Sequence, residues 1–350
     1  MKNIVKSSYF PAVATVLILI PVLILALPRA ARPQETSPIT KMAAGLDDIV
    51  PGDAKIEKVA GDFAFTEGPL WTHEGYLLFS DIPNNIINKL TSDGKVSVFM
   101  DKSGYIGSDA LPVPKPFLVD GAARSPYMIG SNGLTLDKSG ALIFCEHGNR
   151  RVERMDKAGK RSAVAVSYQG KKLNSPNDVV VKSDDTIYFT DPPFGLEATH
   201  SKQELPYAGV YRVKGTQVDL LIKDLETPNG LVFSPFEKFL YVANSSAKTY
   251  MRYEVKKDGT LENGKVFYDA SKDLGEGAPD GMKVDSTGNI YATGPGGLYI
   301  FSPDGTLLGK IKFPEQPANL GWGDADGKAL YVTARTSVYR IRLKVAGEKP

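Results

Sequence analysis

The sequence predicts an all-β protein, a six-bladed β-propeller behind an N-terminal signal or anchor helix. Three observations carry that expectation. A strand–turn–strand unit recurs six times in phase, the chain is rich in turn formers, and its character changes near residue 33. Glycine (34) and proline (24) make up about 17% of the 350 residues, against a usual share of about 12%. That excess suits many short strands joined by turns, and it stays below the roughly 25% of low-complexity chains.

The N-terminal segment comes first. Lys2 and Lys6 precede an apolar run over residues 10–27, Arg29 and Arg32 follow, and the first acid is Glu35. This is the layout of a secretory signal or a membrane anchor. The run of 18 residues exceeds the usual signal core of roughly 7–15 and sits at the low edge of a membrane span. No A-x-A cleavage site follows, which favours an uncleaved anchor. Both readings imply export to the periplasm or another extracytoplasmic space, with membrane contact only through this segment. The full chain carries a net charge of +2; without residues 1–32 it has 38 basic and 40 acidic residues, a net of −2. The domain boundaries expected are 1–32 for the leader, 33–52 for a linker, 53–345 for the propeller and 346–350 for a tail.

The six units open at Gly68, Gly133, Asp178, Gly230, Gly281 and Gly321, as in GPLWTHEGYLLFSD, GLTLDKSGALIFCE and DVVVKSDDTIYFTD. Alternating triplets such as Leu-Thr-Leu and Ile-Tyr-Phe read as strands, and the polar centres read as turns. The openings lie 65, 45, 52, 51 and 40 residues apart. About 45 residues is one four-stranded blade. Six blades close into a ring without long exposed edges. The last strand, SVYRIRL at residues 337–343, is expected to pair near AKIEKVA at residues 54–60 and close it. A β-sandwich is the second choice. Two excursions break the period, residues 101–131 and 192–208; each reads either as a binding loop or as a passive solvated one.

Composition excludes several functions. The near-zero charge argues against a nucleic-acid binder. The single cysteine, Cys145, excludes an intrachain disulfide and a cysteine-based zinc site, and reads as a small strand residue. His73, His147 and His200 are too few for a histidine-rich metal centre, and His73 and His200 are assigned no role.

The residues just before the six openings are Glu67, Asn132, Asn177, Asn229, Asp280 and Leu320. Asn-Gly and Asp-Gly are common turn words. The hairpin turns, however, already fall at Glu74-Gly75, Ser139-Gly140, Thr287-Gly288 and Asp326-Gly327. In-phase positions at strand starts instead predict a ring of oxygens around one tunnel mouth. Such a ring suits a hard cation, calcium first and magnesium second, with zinc or manganese as further divalent choices. Glu67 and Asp280 would neutralise it, Asn177 and Asn229 would add neutral oxygens, and Asn132 would be a fifth ligand or a contact to bound water. Hairpin geometry predicts a second ring that faces the first and surrounds the same mouth, holding Asp81, Glu146 with His147, Asp191, Asn244 and Arg335, with Arg150 and Arg151 nearby. His147 reads equally as a structural hydrogen bond or a substrate contact. Arg150, Arg151 and Arg335 read as surface ion pairs or substrate contacts, and Asp191 as a support rather than a ligand.

At this point TEGPLW, LLFSDIPNN, LIFCEHGNRRV, LNSPNDVVV, IYFTDPPFGL, TPNGLVFS, LYVANS and APDGMKVD can be set together. Over residues 55–345 they resemble the gluconolactonase and regucalcin (senescence-marker-protein) family of six-bladed propellers, with relatives of the diisopropyl-fluorophosphatase type. The resemblance implies a divalent metal, commonly calcium, held by Glu67, Asn229 and Asp280, with Asn177 on metal or substrate. It further implies a metal-dependent hydrolase that opens a lactone, a sugar lactone such as gluconolactone. On that view Asp280 serves as ligand and general base, and Asn132, Asn177, His147 and Arg150 contact substrate. The alternatives are a phosphotriesterase with Asp280 as nucleophile, and a non-catalytic propeller stabilised by calcium.

Overall fold

Each repeat unfolds into a four-stranded antiparallel sheet. The computed structural model describes residues 37–107, 117–119, 122–124 and 127–348. Residues 1–32, the expected export segment, lie outside them, as does residues 108–116 of the first excursion. The first blade runs through Thr66–Trp71, Leu77–Asp81, Ile86–Leu90 and Val96–Asp101. The inner strands of the other five are Ser131–Leu136, Val179–Val181, Pro228–Phe233, Met282–Val284 and Pro317–Gly323. The described secondary structure is strand, with three short 3-10 turns, so the propeller stands and the sandwich does not.

The first strand of each repeat is innermost, and the six inner strands surround the axis. They approach so closely that side chains do not fit between them. A Cβ on Gly230 would lie 2.1 Å from the Asp280 carbonyl oxygen, and one on Gly321 2.3 Å from that of Pro69. Hydroxyls on the second strands tie each blade to the next. Ser80 Oγ donates to Asn132 O at 2.8 Å, Thr190 Oγ1 to Asn229 O at 2.7 Å and Thr293 Oγ1 to Ala318 O at 2.8 Å. All three stand twelve residues after their opening residue, the place Cys145 takes in the second blade.

Alternation places the apolar residues between blades. Ile143 and Val152 of the second blade pack with Phe189 and Tyr211 of the third, all fully or almost fully buried. Each such side chain contributes about 1.5–3 kcal/mol when taken from water. Ring closure is as expected: Ile56–Ala60 pairs with Ser337–Arg342, from Ile56 opposite Ile341 to Ala60 opposite Val338, and so completes the sixth blade.

Two boundaries need correction. Residues 33–52 are not wholly a linker, because Ile39–Lys41 adds a fifth strand to the fifth blade by pairing with Leu307–Ile311. Leu46, Ile49 and Val50 then bury themselves in the core beside Leu308 and Leu343. Polar and turn-forming neighbours masked these three apolar residues in the sequence. The tail is also part of the domain, since Gly347 bridges to Asp285, donates to Gly327 O at 3.0 Å and lies on the Trp322 ring.

Candidate active site

The inner strands begin at one end of the axis, and several are bulged there. Pairing slips between Glu67 and Leu70 in the first blade and between Pro228 and Leu231 in the fourth. A bulge re-aims the local side chain. At this end lies a cavity of about 340 Å³ whose floor is Glu67, Asn132, His147, Asn177, Asn229 and Asp280. The five expected oxygen-bearing residues therefore meet. Leu320 does not join them; it is fully buried in the hydrophobic core. Asn319, one residue earlier, instead hydrogen-bonds the Glu67 carboxyl.

The amides form a directed chain. Asn132 Nδ2 donates to Asn177 Oδ1 at 2.7 Å, Asn177 Nδ2 to Asn229 Oδ1, and Asn229 Nδ2 to Ser245 Oγ at 3.0 Å. Ser245 Oγ ends the chain on Pro279 O at 2.6 Å. An amide oxygen has two lone pairs, so Asn177 and Asn229 each keep one. Asn132 Oδ1 is buried without a hydrogen-bond partner. His147 is buried, with Nδ1 at 3.2 Å from Met128 O, which makes Nδ1 the donor. Nε2 is then an acceptor, 3.3 Å from the Asn132 amide nitrogen. Burial pushes this imidazole down to about 4, against the pull of Met128 O and Asn177, so it is neutral near pH 7.

The carboxyls are costly where they stand. Burial first, then the charge of Asp178, pushes Glu67 up to about 7, although the Gly68 N–H and the Asn319 amide favour its ionised form. Asp280 keeps some surface in the cavity but is otherwise enclosed. Burial, then the charges of Glu67 and Asp178, raise it well above the carboxylate range. Among the described residues no three His, Cys, Asp or Glu side chains form a metal-holding group. A cation here would draw on amide oxygens as well as on two acids. The donor set fits a hard divalent ion, since the spare amide lone pairs and the unpartnered Asn132 oxygen need a partner, and the paired acids need a positive charge.

Of the second ring, His147 lines this cavity and the other members do not. Asp81 accepts from the backbone nitrogens of Ala64 and Phe65 at 3.2 Å, Asp191 from that of Asn174 at 2.8 Å, and Asn244 from that of Thr227 at 3.1 Å. These residues sit at second-strand ends and clamp the segment feeding the inner strand, because that segment brings unpaired N–H groups past them. Glu146 is held by Arg151 and Arg161. Arg335 pairs with Glu276 at 2.8 Å at the surface. Arg150, expected on substrate, is buried away from the cavity. Its Nε donates to Leu173 O at 2.7 Å, and its Nη1 meets Glu204 at 3.3 Å. It thereby tethers the second excursion.

Both excursions supply walls. Met128 comes from the first and Phe194 from the second, opposite Phe65 and Ile82. Gly195 lets the loop lie on His147: a Cβ there would sit 2.7 Å from the His147 Cβ. Sequence reasoning missed this apolar wall and Ser245. Ile82, Phe194 and Ser245 stood inside the quoted stretches LLFSDIPNN, IYFTDPPFGL and LYVANS, whereas no local pattern marks Phe65 or Met128.

Residues 65–336 match the model of the SMP-30/Gluconolactonase/LRE-like region, more than half of the chain. The chain belongs to this family. Within it, a gluconolactonase of Zymomonas mobilis is 38% identical over 322 residues, covering 88% of this chain and 87% of its own. A pentonolactonase of Haloferax volcanii is 27% identical over 212 residues, covering 57% of this chain and 66% of its own. The solved gluconolactonase of Xanthomonas campestris superposes with a TM-score of 0.75 at 29% identity, covering 88% of this chain and 96% of that one. The matched family region spans every floor residue of the cavity.

Proposed function

We propose that this protein is a lactone-hydrolysing enzyme that works with a divalent cation, calcium first, on a neutral sugar lactone. The observation that carries the reading is the convergence of Glu67 and Asp280 with three asparagines in one cavity, in a chain 38% identical to a gluconolactonase. Glu67, Asp280, Asn177 and Asn229 would hold the cation through oxygen. When bound, it would supply a Lewis acid for the lactone carbonyl and charge stabilisation for the oxyanion.

The protein's own groups divide the remaining work. Hydrolysis adds water to the carbonyl carbon and breaks the acyl–oxygen bond of the ring, so a proton leaves the water and one reaches the ring oxygen. Asp280 takes the water's proton on a carboxylate oxygen and passes it to the ring oxygen as the acyl–oxygen bond breaks. His147, neutral with Nε2 as acceptor, exchanges its 3.3 Å contact with the Asn132 amide for a hydrogen bond from a substrate hydroxyl, and Met128 O fixes its tautomer. Ser245 fixes the amide of Asn229. Phe65 and Phe194 cover the C–H face of a sugar ring and exclude water. Asp191, Asn244 and Arg150 support the loops around the site without touching substrate.

The test is gluconolactone opening by Glu67→Gln and Asp280→Asn, followed by pH-stat with calcium and after chelation. Rates equal to the unsubstituted protein in both conditions refute the proposal. Melting that depends on calcium, without turnover of any lactone, would instead indicate a binding propeller. We also propose export through residues 1–32, which N-terminal sequencing and fractionation of the mature protein would check.

A further inference from the structure

The inner strands run on from the floor of the candidate active site to a second cavity at the other end of the axis, of about 750 Å³. Small-molecule sites have this order of size. Two residues beyond each repeat opening, at equivalent depth along the axis, stand Leu70, Thr135, Val180, Val232, Lys283 and Gly323. All but Gly323 line the cavity, and Lys283 is the one charge of this ring. Trp71 and Trp322 extend the apolar wall. Lys283 Nζ donates to Met282 O at 3.0 Å, and among the described residues no carboxylate pairs with it. Thr135 is buried beside it in the ring, and its hydroxyl makes no hydrogen bond among the described residues. Other charges on the lining are paired or exposed. Lys182 pairs with Glu237 at 2.8 Å and Asp137 with Arg154 at 2.7 Å, while Lys138 and Glu348 are exposed.

A separate feature lies on the same lining. Phe236 is 100% exposed and has φ 60°, and Glu237 follows at φ 55°. Left-handed backbone is unfavourable for a bulky aromatic residue. The Glu237 carboxylate holds the turn by accepting from Ser183 N and, at 2.7 Å, from Ser183 Oγ of the neighbouring blade. The turn therefore keeps a phenyl ring in water beside the cavity, at a cost in backbone strain and in exposed apolar surface.

We propose that this second cavity is a binding site for a small amphiphilic carboxylate. The ligand's carboxylate pairs with Lys283 and accepts from Thr135 Oγ1. Its apolar body lies against Val180, Val232 and Trp71, and Phe236 covers it from the solvent side. An ammonium in an apolar funnel without a counter-charge gains most from an anion that brings its own apolar surface. A cation or a neutral polyol would leave Lys283 unpaired and the funnel wet. This site stands whether or not a cation occupies the other end of the axis.

Trp71 and Trp322 are the two tryptophans of the chain, and both line this cavity, so tryptophan emission reports on it. Titrating the full-length protein with octanoate, below its micelle concentration, should give a saturable change in emission. Octanol, the same body without the charge, should bind about tenfold or more weakly. Lys283→Met should weaken octanoate by a similar factor and leave octanol unchanged. Phe236→Ser should weaken both ligands severalfold, and its full exposure makes it harmless to the fold. Circular dichroism melts check folding, and Lys283→Gln replaces Lys283→Met if that variant fails to fold. The proposal is overturned by the absence of a saturable change, by octanol binding as tightly as octanoate, or by an octanoate affinity that either substitution leaves unaltered.

Discussion

At one end of the propeller axis lie Glu67, Asn132, Asn177, Asn229 and Asp280; at the other lie Trp71, Val180, Val232 and Trp322. The same six strands build both ends. The second cavity is the larger, about 750 Å³ against about 340 Å³, yet it holds no convergent set of acids and amides. The difference comes from what joins the strands. At the far end the joins are mostly tight hairpins, and their aspartates are occupied by the turn itself. Asp137 accepts from the backbone nitrogens of Ser139 and Ala141, and Asp285 from those of Thr287 and Asn289. At the near end the strands are fed by longer irregular segments, clamped by Asp81, Asp191 and Asn244. The oxygens at the strand starts remain available to a ligand. Cavity size therefore follows the funnel of the fold, and chemistry follows the end where side chains are not used by turns.

Four substitutions would sharpen or break this contrast. At the near end, Asp280→Asn should lower kcat/KM for lactone opening by about a thousandfold or more while leaving the melting temperature level or higher, since it relieves a buried charge. An equal loss of turnover per folded molecule from a change at the far end would break the contrast. There, Trp322→Ala should cost about 3–5 kcal/mol in urea unfolding with kcat per folded molecule unchanged. The ring packs edge-to-face on Tyr291 at 4.9 Å and its Nε1 donates to Val284 O at 2.7 Å, so both packing and a bond are lost.

The third prediction concerns a clamp. Burial pushes Asp191 up to about 7, against its bonds to the Asn174 and Ser175 backbone and the nearby Arg150 charge. The folded state then binds more protons than the unfolded chain between about pH 4 and 7, so stability falls as pH rises through that window. Asp191→Asn should flatten this slope by up to a few kcal/mol across the window, read from urea midpoints at successive pH values. An unchanged slope would assign the pH dependence elsewhere. The smallest effect belongs to the ties between blades: Thr190→Val should cost about 1–2 kcal/mol, with little change in kcat, because it removes two buried hydrogen bonds, one given to Asn229 O and one accepted from Asp178 N.

Much of the near end was legible because a repeat is a local property. The in-phase residues Glu67, Asn132, Asn177, Asn229 and Asp280 needed only a strand period and a closed ring to be placed together. Of the second ring, His147 was placed correctly, but Asp81, Glu146, Asn244 and Arg335 do not reach the cavity, because register alone does not give side-chain direction beside a bulge. Asp191 and Asn244 face the backbone that feeds the blade, and the arginine of EHGNRR at position 150 is turned inward at φ 58°. The phrase that suggested a linker hid Leu46, Ile49 and Val50, whose burial depends on the edge of a blade formed by residues near 308.

The sequence alone determined the number of blades, the closing strand and the ring of oxygens, since each follows from spacing within about one blade and a rule of closure. The tertiary structure decided which groups share an electrostatic environment. Asp178 and Lys283 are separated by a full blade in the chain, and Asn319 lies further still from Glu67. They come near one another because six inner strands converge on one axis, where Glu67, Asp178 and Asn319 are buried and Lys283 lines the cavity at the far end.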